Sequence, residues 1–446
     1  MSITGKKAIW GWALYDWANS AFATTVMAGF FPIFFKEYWS AGANINLSTA
    51  RLGFANAAAG LLVALMAPVM GAIADAAGAR KRFLIGFAYL GVLMTAGLFM
   101  VGKGQWMWAV CIYVLGTIGF SGANVFYDAL LPSVAGVQRL ERVSSFGYAM
   151  GYLGGGLLFL INVLMMTLPH RFGLADAGQA VRFSFLSVAL WWGGFTVFTL
   201  YWVPEEKLTD NRAGVRKAVV EGLKRFFSIF RRIRTSKAVW LFLLAYWFYI
   251  DGVDTIVRMA VDYGLSLGFP RNDLILALLI VQFVGFPAAL IFGRLGEKWG
   301  VRKSIYLALF IYVLITAWGV GMTSSVDFYL LAVMIGLVQG GIQALSRSYY
   351  SRLIPADQPA LYFGFYNLLG KFAVILGPAL MGAAGLIARR LLLPPTTDPE
   401  VIAQGARLAS RWGIGSIVIL FVIGGILFYV AGREDKTHPL PGDLTS

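Results

Sequence analysis

A chain of 446 residues with 59% hydrophobic and 13% charged side chains is too apolar to cover soluble domains, in which roughly 25% of residues are charged. The formal charge of +15 would suit nucleic acid, but the basic residues sit in short loops between apolar runs, a pattern of membrane orientation, so no nucleic-acid partner is expected. One cysteine (Cys111) and two histidines (His170 and His438) exclude an internal disulfide, a thiolate metal cage and imidazole-based metal chemistry, and no metal or cofactor is expected.

In chain order, Lys6 and Lys7 precede an apolar run over 8–35. It is too long for a signal-peptide core and lacks a small-residue cleavage site, which predicts a retained first span. Further spans are predicted over 50–74, 83–102, 106–131, 143–168 and 181–203. After a polar stretch, a second set is predicted over 239–262, 273–296, 304–322, 327–350, 361–388 and 412–431. Each run is long enough to cross roughly 30 Å of hydrocarbon. The expectation is an all-α integral membrane protein of twelve helices. Residues 1–203 form an N-terminal six-helix half, 204–238 a cytosolic linker, and 239–446 a C-terminal half with a short tail.

With both termini inside, most of the 37 lysines and arginines fall on the cytosolic side. The outer stretch 389–411, with Arg389, Arg390, Arg407 and Arg411, is the main exception, and its length lowers its weight in the rule. In the linker, Val219, Leu223, Phe226 or Phe227, and Phe230 recur at helical spacing among Arg216, Lys217, Lys224, Arg225, Arg231, Arg232 and Arg234. This reads as an amphipathic helix on anionic inner-leaflet lipid, or as a solvated linker with one apolar face.

One short turn occurs twice, half a chain apart. Gly71-Ala-Ile-Ala-Asp75-Ala-Ala-Gly78-Ala-Arg80-Lys81 follows the second span, and Gly293-Arg-Leu-Gly-Glu297-Lys298-Trp-Gly300-Val-Arg302-Lys303 follows the eighth. The shared spacing in the same hydropathy context points to an internal duplication. Gly116, Gly119 and Gly122 before Pro132 and Phe146-Gly147-Tyr148 are echoed by Gly336, Gly340 and Gly341 before Pro355 and Phe363-Gly364-Phe365. Small residues at these spacings let helix backbones approach in lipid.

Twelve spans, a half-chain repeat, a central linker and the Gly-x3-acid loop resemble the major facilitator superfamily of secondary transporters. The resemblance implies alternating access around a central site lined by the first, fourth, seventh and tenth spans. It also implies a cytosolic charge latch: Gly71, Asp75, Gly78 and Arg80, with Gly293, Glu297, Lys298, Gly300 and Arg302 in the second half. Ala76 and Ala79 stand where basic residues are usual, so the first latch leans on Arg80, Lys81 and Arg82. Two strings are more specific: Tyr15-Asp16-Trp17-Ala18-Asn19-Ser20-Ala21-Phe22, and Gly340-Gly341-Ile-Gln343-Ala-Leu-Ser346-Arg347-Ser348. They resemble the branch containing the fungal autophagy-related vacuolar amino-acid effluxers and their bacterial relatives. That likeness implies amino acids or similar small solutes as substrate.

Independently of any likeness, an ionisable group near the bilayer centre costs roughly 2.5–3.5 kcal/mol on insertion scales, so it faces a cavity or a partner. Asp251, Asp254, Arg258 and Asp262 share one face of the seventh span. Asp254 can pair with Arg258, which would leave Asp251 free to exchange a proton or meet a substrate cation. Asp16, Asn19 and Ser20 share a face of the first span, Gln339, Gln343 and Arg347 a face of the tenth, and Asn124 and Asp128 lie on the fourth; Lys371 lies in the eleventh. The cavity set is therefore Asp16, Asn19, Asn124, Asp251, Asp254, Arg258, Gln339, Gln343 and Lys371. Asp128 and Arg347, near cytosolic ends, join the gate, with snorkelling or loop contacts as the alternative. Asp16 could also stabilise its helix start, and Asp254 with Arg258 could be a purely structural pair.

Gly97-x4-Gly102-Lys103 nearly makes a phosphate-binding loop, but Gly104 replaces the required hydroxyl and no strand precedes it. No catalytic residue is identified. The sequence thus reads as a proton-coupled secondary transporter of a small polar solute, monomeric, in a bacterial plasma membrane with both termini cytosolic. A uniporter, an exporter of another solute, and a non-transporting sensor or scaffold on the same fold are the alternatives.

Overall fold

The structure, a computed structural model, describes residues 5–42, 45–205, 220, 224, 236–267, 269–372, 376–392 and 399–437. No strand occurs among the described residues. The long apolar runs close their own hydrogen bonds as helices, which lipid demands of any open segment. These are α1 (Lys6–Trp39), α2 (Ile45–Ala77), α3 (Arg80–Leu98), α4 (Trp106–Ala135), α5 (Leu140–Thr167) and α6 (Ala177–Trp202). They continue as α7 (Lys237–Ser266), α8 (Arg271–Trp299), α9 (Val301–Gly321), α10 (Ser325–Leu353), α11 (Pro359–Phe372), α12 (Leu376–Leu392), α13 (Pro399–Ser416) and α14 (Val418–Thr437).

Among the described residues, 11 helices are long and apolar enough to cross a membrane. The expected span over 361–388 is represented by α11 and α12 on either side of 373–375, which lie outside the described residues. The described residues therefore neither reach nor contradict the count of twelve. The amphipathic linker helix, centred on 216–234, also lies outside them apart from Lys224 and Val220. Between 389 and 411 the structure adds a helix that the hydropathy reading left as loop, α13, which runs on into the final apolar stretch.

Contacts divide the chain into two compact units, residues 1–230 with 354–368, and residues 231–353 with 369–446. In the first unit α2 packs on α4, α3 on α4, and α1 on α6; in the second α8 packs on α10, α9 on α10, and α7 on α14. Equivalent spans choose equivalent neighbours, as a duplicated helix set should. Several of the predicted glycines mark close crossings. A Cβ at Gly122 would come within 2.6 Å of the Phe87 ring, and one at Gly119 would strike the Gly91 backbone. In the second unit a Cβ at Gly341 would run into the Phe292 ring.

Within α1 the turns widen to π-helical geometry over Phe22–Phe30. Two local causes are present. The Thr24 hydroxyl donates to the Ser20 carbonyl (2.9 Å), and Pro32 brings no N–H to the end of that stretch. The widened turn lies directly after the polar face of Asp16, Asn19 and Ser20.

Candidate functional site

The repeated turn is built first from backbone geometry. α2 ends at Ala77, Gly78 takes a positive φ of 59°, and α3 starts at Arg80. That reversal returns the Arg80 guanidinium to Asp75, where Nε donates to Oδ1 at 2.6 Å. Both are buried, at 8% and 3% exposure, so the pair must meet its remaining hydrogen bonds within the protein. It does so at the start of α11. The amides of Ala360 and Leu361 donate to Asp75 Oδ1 (3.2 Å) and Oδ2 (2.8 Å), and Arg80 donates to the Asp357 carbonyl (3.2 Å). A helix start offers unspent N–H groups and a positive dipole end, and the carboxylate answers both.

Close approach makes this contact possible. A Cβ on Gly71 would collide with the Ala360 carbonyl, and one on Gly364 would lie 2.7 Å from Pro68 Cα. Asp128, 7% exposed on α4, meets the same helix: Asn367 donates to its Oδ2 at 3.1 Å. Thus Gly71, Asp75, Gly78, Arg80 and Asp128 gather around one turn and the first turns of α11, all inside the first unit. The expectation that Lys81 and Arg82 share the latch with Arg80 needs correction. The Lys81 ammonium donates to the Leu200 carbonyl (3.1 Å), and Arg82 lies 3.5 Å from Glu205. Glu205 is a residue the sequence reading missed. Its Oε1 accepts from the amides of Lys81 (3.0 Å) and Arg82 (3.3 Å), capping the start of α3. The available signal was the acid pair Glu205-Glu206 directly after Pro204 at the end of the sixth apolar run.

The second copy shares the sequence pattern but not the arrangement. Gly293 is buried, Glu297 and Lys298 are exposed, and Gly300 takes φ 89° between α8 and α9. Arg302 donates to the Gly432 carbonyl of α14 at 2.9 Å. Arg347 does not snorkel: it is 2% exposed, next to Ser346, whose hydroxyl lies 2.7 Å from the Tyr249 hydroxyl.

Deeper in the first unit, α1 and α4 bring their polar faces together. Asn19 donates to Asn124 Oδ1 at 2.6 Å, and the Tyr127 hydroxyl donates to Asp16 Oδ2 at 3.1 Å. Trp12 stacks on Tyr127 (ring centroids 4.2 Å apart) and donates its indole N–H to the Tyr127 carbonyl at 2.8 Å. Tyr127 was not singled out from sequence, although it lies three residues from Asn124 on the same helix. Asp16 is half-buried, and Gly151 of α5 leaves room for its carboxylate.

In the second unit Asp251 has hydrogen-bond partners of its own, which the sequence did not indicate. Asp251 is fully buried, and its carboxylate accepts from the Thr255 hydroxyl (3.1 Å) and from the amides of Leu376 (3.0 Å) and Gly377 (2.9 Å). Asp254, Gln339 and Gln343 are half-buried. The side chains of Arg258, Asp262 and Lys371 lie outside the described residues, as does the expected pairing of Arg258 with Asp254.

The sequence profile of the vacuole effluxer Atg22-like family matches residues 4–52 and 41–385. The chain belongs to this family. Among its relatives is the MFS-type transporter YxiO of Bacillus subtilis, 36% identical over 431 residues, which cover 96% of this chain and 95% of YxiO. Autophagy-related protein 22 of Coccidioides immitis is 22% identical, with 88% of this chain and 86% of that protein covered. The fold of this Atg22-like chain matches that of the major facilitator superfamily proton:xylose symporter XylE. The TM-score is 0.66 at 14% identity, with 95% of this chain and 94% of XylE covered. The all-α membrane fold is therefore that of a major facilitator superfamily transporter, and the chain is an integral membrane protein of the transporter class.

Proposed function

We propose that this Atg22-like protein is a proton-coupled secondary transporter that moves small polar solutes, amino acids among them, by alternating access. The observation that carries the reading is the buried Asp75–Arg80 pair seated on the first amides of α11. A charged knot that fully satisfies itself in one arrangement, on surfaces stripped of side chains at Gly71 and Gly364, suits a contact that is made in one state and released in another. Gly71, Asp75, Gly78, Arg80 and Asp128 form the gate in the first unit. Gly293, Glu297, Lys298, Gly300, Arg302 and Arg347 are assigned to its counterpart in the second.

Substrate and proton are assigned to the polar faces within the spans: Asp16, Asn19 and Asn124 in the first unit, and Asp254, Gln339 and Gln343 in the second. Asp16 leads because its carboxylate is half-buried where the polar faces of α1 and α4 meet, with the Tyr127 hydroxyl donating to it, and an ionisable group so placed within a span suits a proton or substrate path. The vacuole effluxer name of the family supports export of small solutes, and the 36% identity to a Bacillus protein supports a bacterial membrane. The halves 1–203 and 239–446, joined by the linker 204–238 and with both termini cytosolic, complete the proposal. Counterflow of radiolabelled amino acids in proteoliposomes tests it. Accumulation of label against unlabelled internal solute supports the reading, and no counterflow with any polar solute refutes it.

A further inference from the structure

An amide inside a continuous helix donates its N–H to the carbonyl four residues back. Leu376 and Gly377, the first two described residues of α12, give theirs to the two oxygens of Asp251 on α7. Two amide positions of α12 are thereby met by one carboxylate, and the next position, Pro378, has no amide hydrogen to satisfy. The carboxylate is itself oriented. Thr255, one turn along α7, donates its hydroxyl to Oδ1 at 3.1 Å.

A second feature makes the joint specific to these side chains. A Cβ on Gly377 would lie 2.7 Å from Asp251 Oδ1 and would collide with Thr255 Oγ1. Glycine is thus needed for the backbone of α12 to come within hydrogen-bonding distance of α7. Gly252, on the same stretch of α7, similarly lets the Phe421 ring of α14 approach, with 2.8 Å to an added Cβ. Asp251 is therefore ringed by packed helices and fully buried, at a depth where unpaired backbone N–H groups cost several kcal/mol each.

We propose that Asp251 is a positioning residue: with Thr255 and Gly377 it forms an intramembrane clamp on the backbone amides of 376 and 377 that fixes α12 against α7. Its carboxylate is spent on backbone amides, so it neither carries the transported proton nor binds the substrate's charge. The clamp stands on local geometry alone, independently of the transport reading. A leucine or asparagine there would leave at least one of the Leu376 and Gly377 amides facing no acceptor.

The test is hydrogen exchange on the purified full-length protein in lipid nanodiscs, followed by mass spectrometry of peptides covering 376–392. In the wild type the first amides of α12 are protected. Asp251→Asn and Gly377→Ala are each expected to speed their exchange by about tenfold or more, while peptides from α1–α6 keep their wild-type rates. Thr255→Val is expected to give a smaller rise that Thr255→Ser reverses, a rescue that loss of packing alone would not show. Should Asp251→Asn fail to fold, the Thr255 pair and Gly377→Ala decide the matter by the same readout. Wild-type exchange at the start of α12 in Gly377→Ala and Thr255→Val overturns the proposal, whether or not the protein transports.

Discussion

Replacing Asp75 with asparagine changes few atoms but disturbs every bond of the knot. The amide side chain keeps one acceptor oxygen, so at least one of the Ala360 and Leu361 amides loses its partner. Arg80, 8% exposed, keeps the Asp357 carbonyl but loses its counter-charge. Removing one member of a buried pair costs about 3–5 kcal/mol, and the surviving carbonyl bond argues for the lower end. At ~1.4 kcal/mol per tenfold, a loss of ~3 kcal/mol shifts the equilibrium between the knotted state and its alternatives by about two orders of magnitude. Two assays read this. Exchange of the first α11 amides is expected to accelerate by a comparable factor, and counterflow turnover is expected to fall while substrate affinity stays within a few-fold. Arg80→Gln in the same chain removes the cation that faced Asp75, so the double variant is expected to be less impaired than the sum of the singles. Wild-type exchange and turnover in Asp75→Asn would refute the reasoning and leave the turn a simple connector.

Glu297→Gln is expected to have a much smaller effect on turnover than Asp75→Asn, because Glu297 is exposed; equal losses would show that the two turns bear equal load. Gly71→Ala puts a methyl group against the Ala360 carbonyl and is expected to destabilise the knot by about 1–3 kcal/mol, read as faster exchange at the start of α11. Asp16→Asn is expected to abolish accumulation driven by a pH gradient while solute exchange survives, and retention of both activities would remove Asp16 from the proton path. With Cys111 replaced by serine, a cysteine at Ser228 is expected to be shielded from an impermeant thiol reagent applied to intact cells and one at Thr397 to be labelled. The reverse pattern would invert the topology.

What the sequence makes legible here is whatever is local or repeated. Apolar runs announce helices because lipid leaves the backbone no other solution, and the twice-used turn announces a duplication because its spacing recurs at half the chain length. Asp75 and Arg80 were readable because both belong to one turn. Their other partners were not, since the amides of Ala360 and Leu361 carry no side-chain signature and lie far along the chain. The same holds for Asp251. Its helical spacing with Asp254 and Arg258 suggested a free carboxylate, but the groups that engage it are backbone amides at 376 and 377. Arg302 illustrates the converse limit. It occupies the position of Arg80 in the repeat, yet its guanidinium reaches the Gly432 carbonyl, a contact set by tertiary packing that the repeat cannot specify.

Transport itself is tested most directly by reconstituting the purified protein in proteoliposomes loaded with single unlabelled amino acids and other small polar solutes. Entry of the matching radiolabelled solute is then measured with no imposed ion gradient. The expected result is a transient overshoot of label for at least one solute, abolished when the internal solute is omitted and slowed in Asp75→Asn. Absence of an overshoot for every solute, from protein whose α11 and α12 amides are protected as in the folded state, would contradict an alternating-access transporter of small polar solutes and favour a membrane sensor or scaffold built on the same fold.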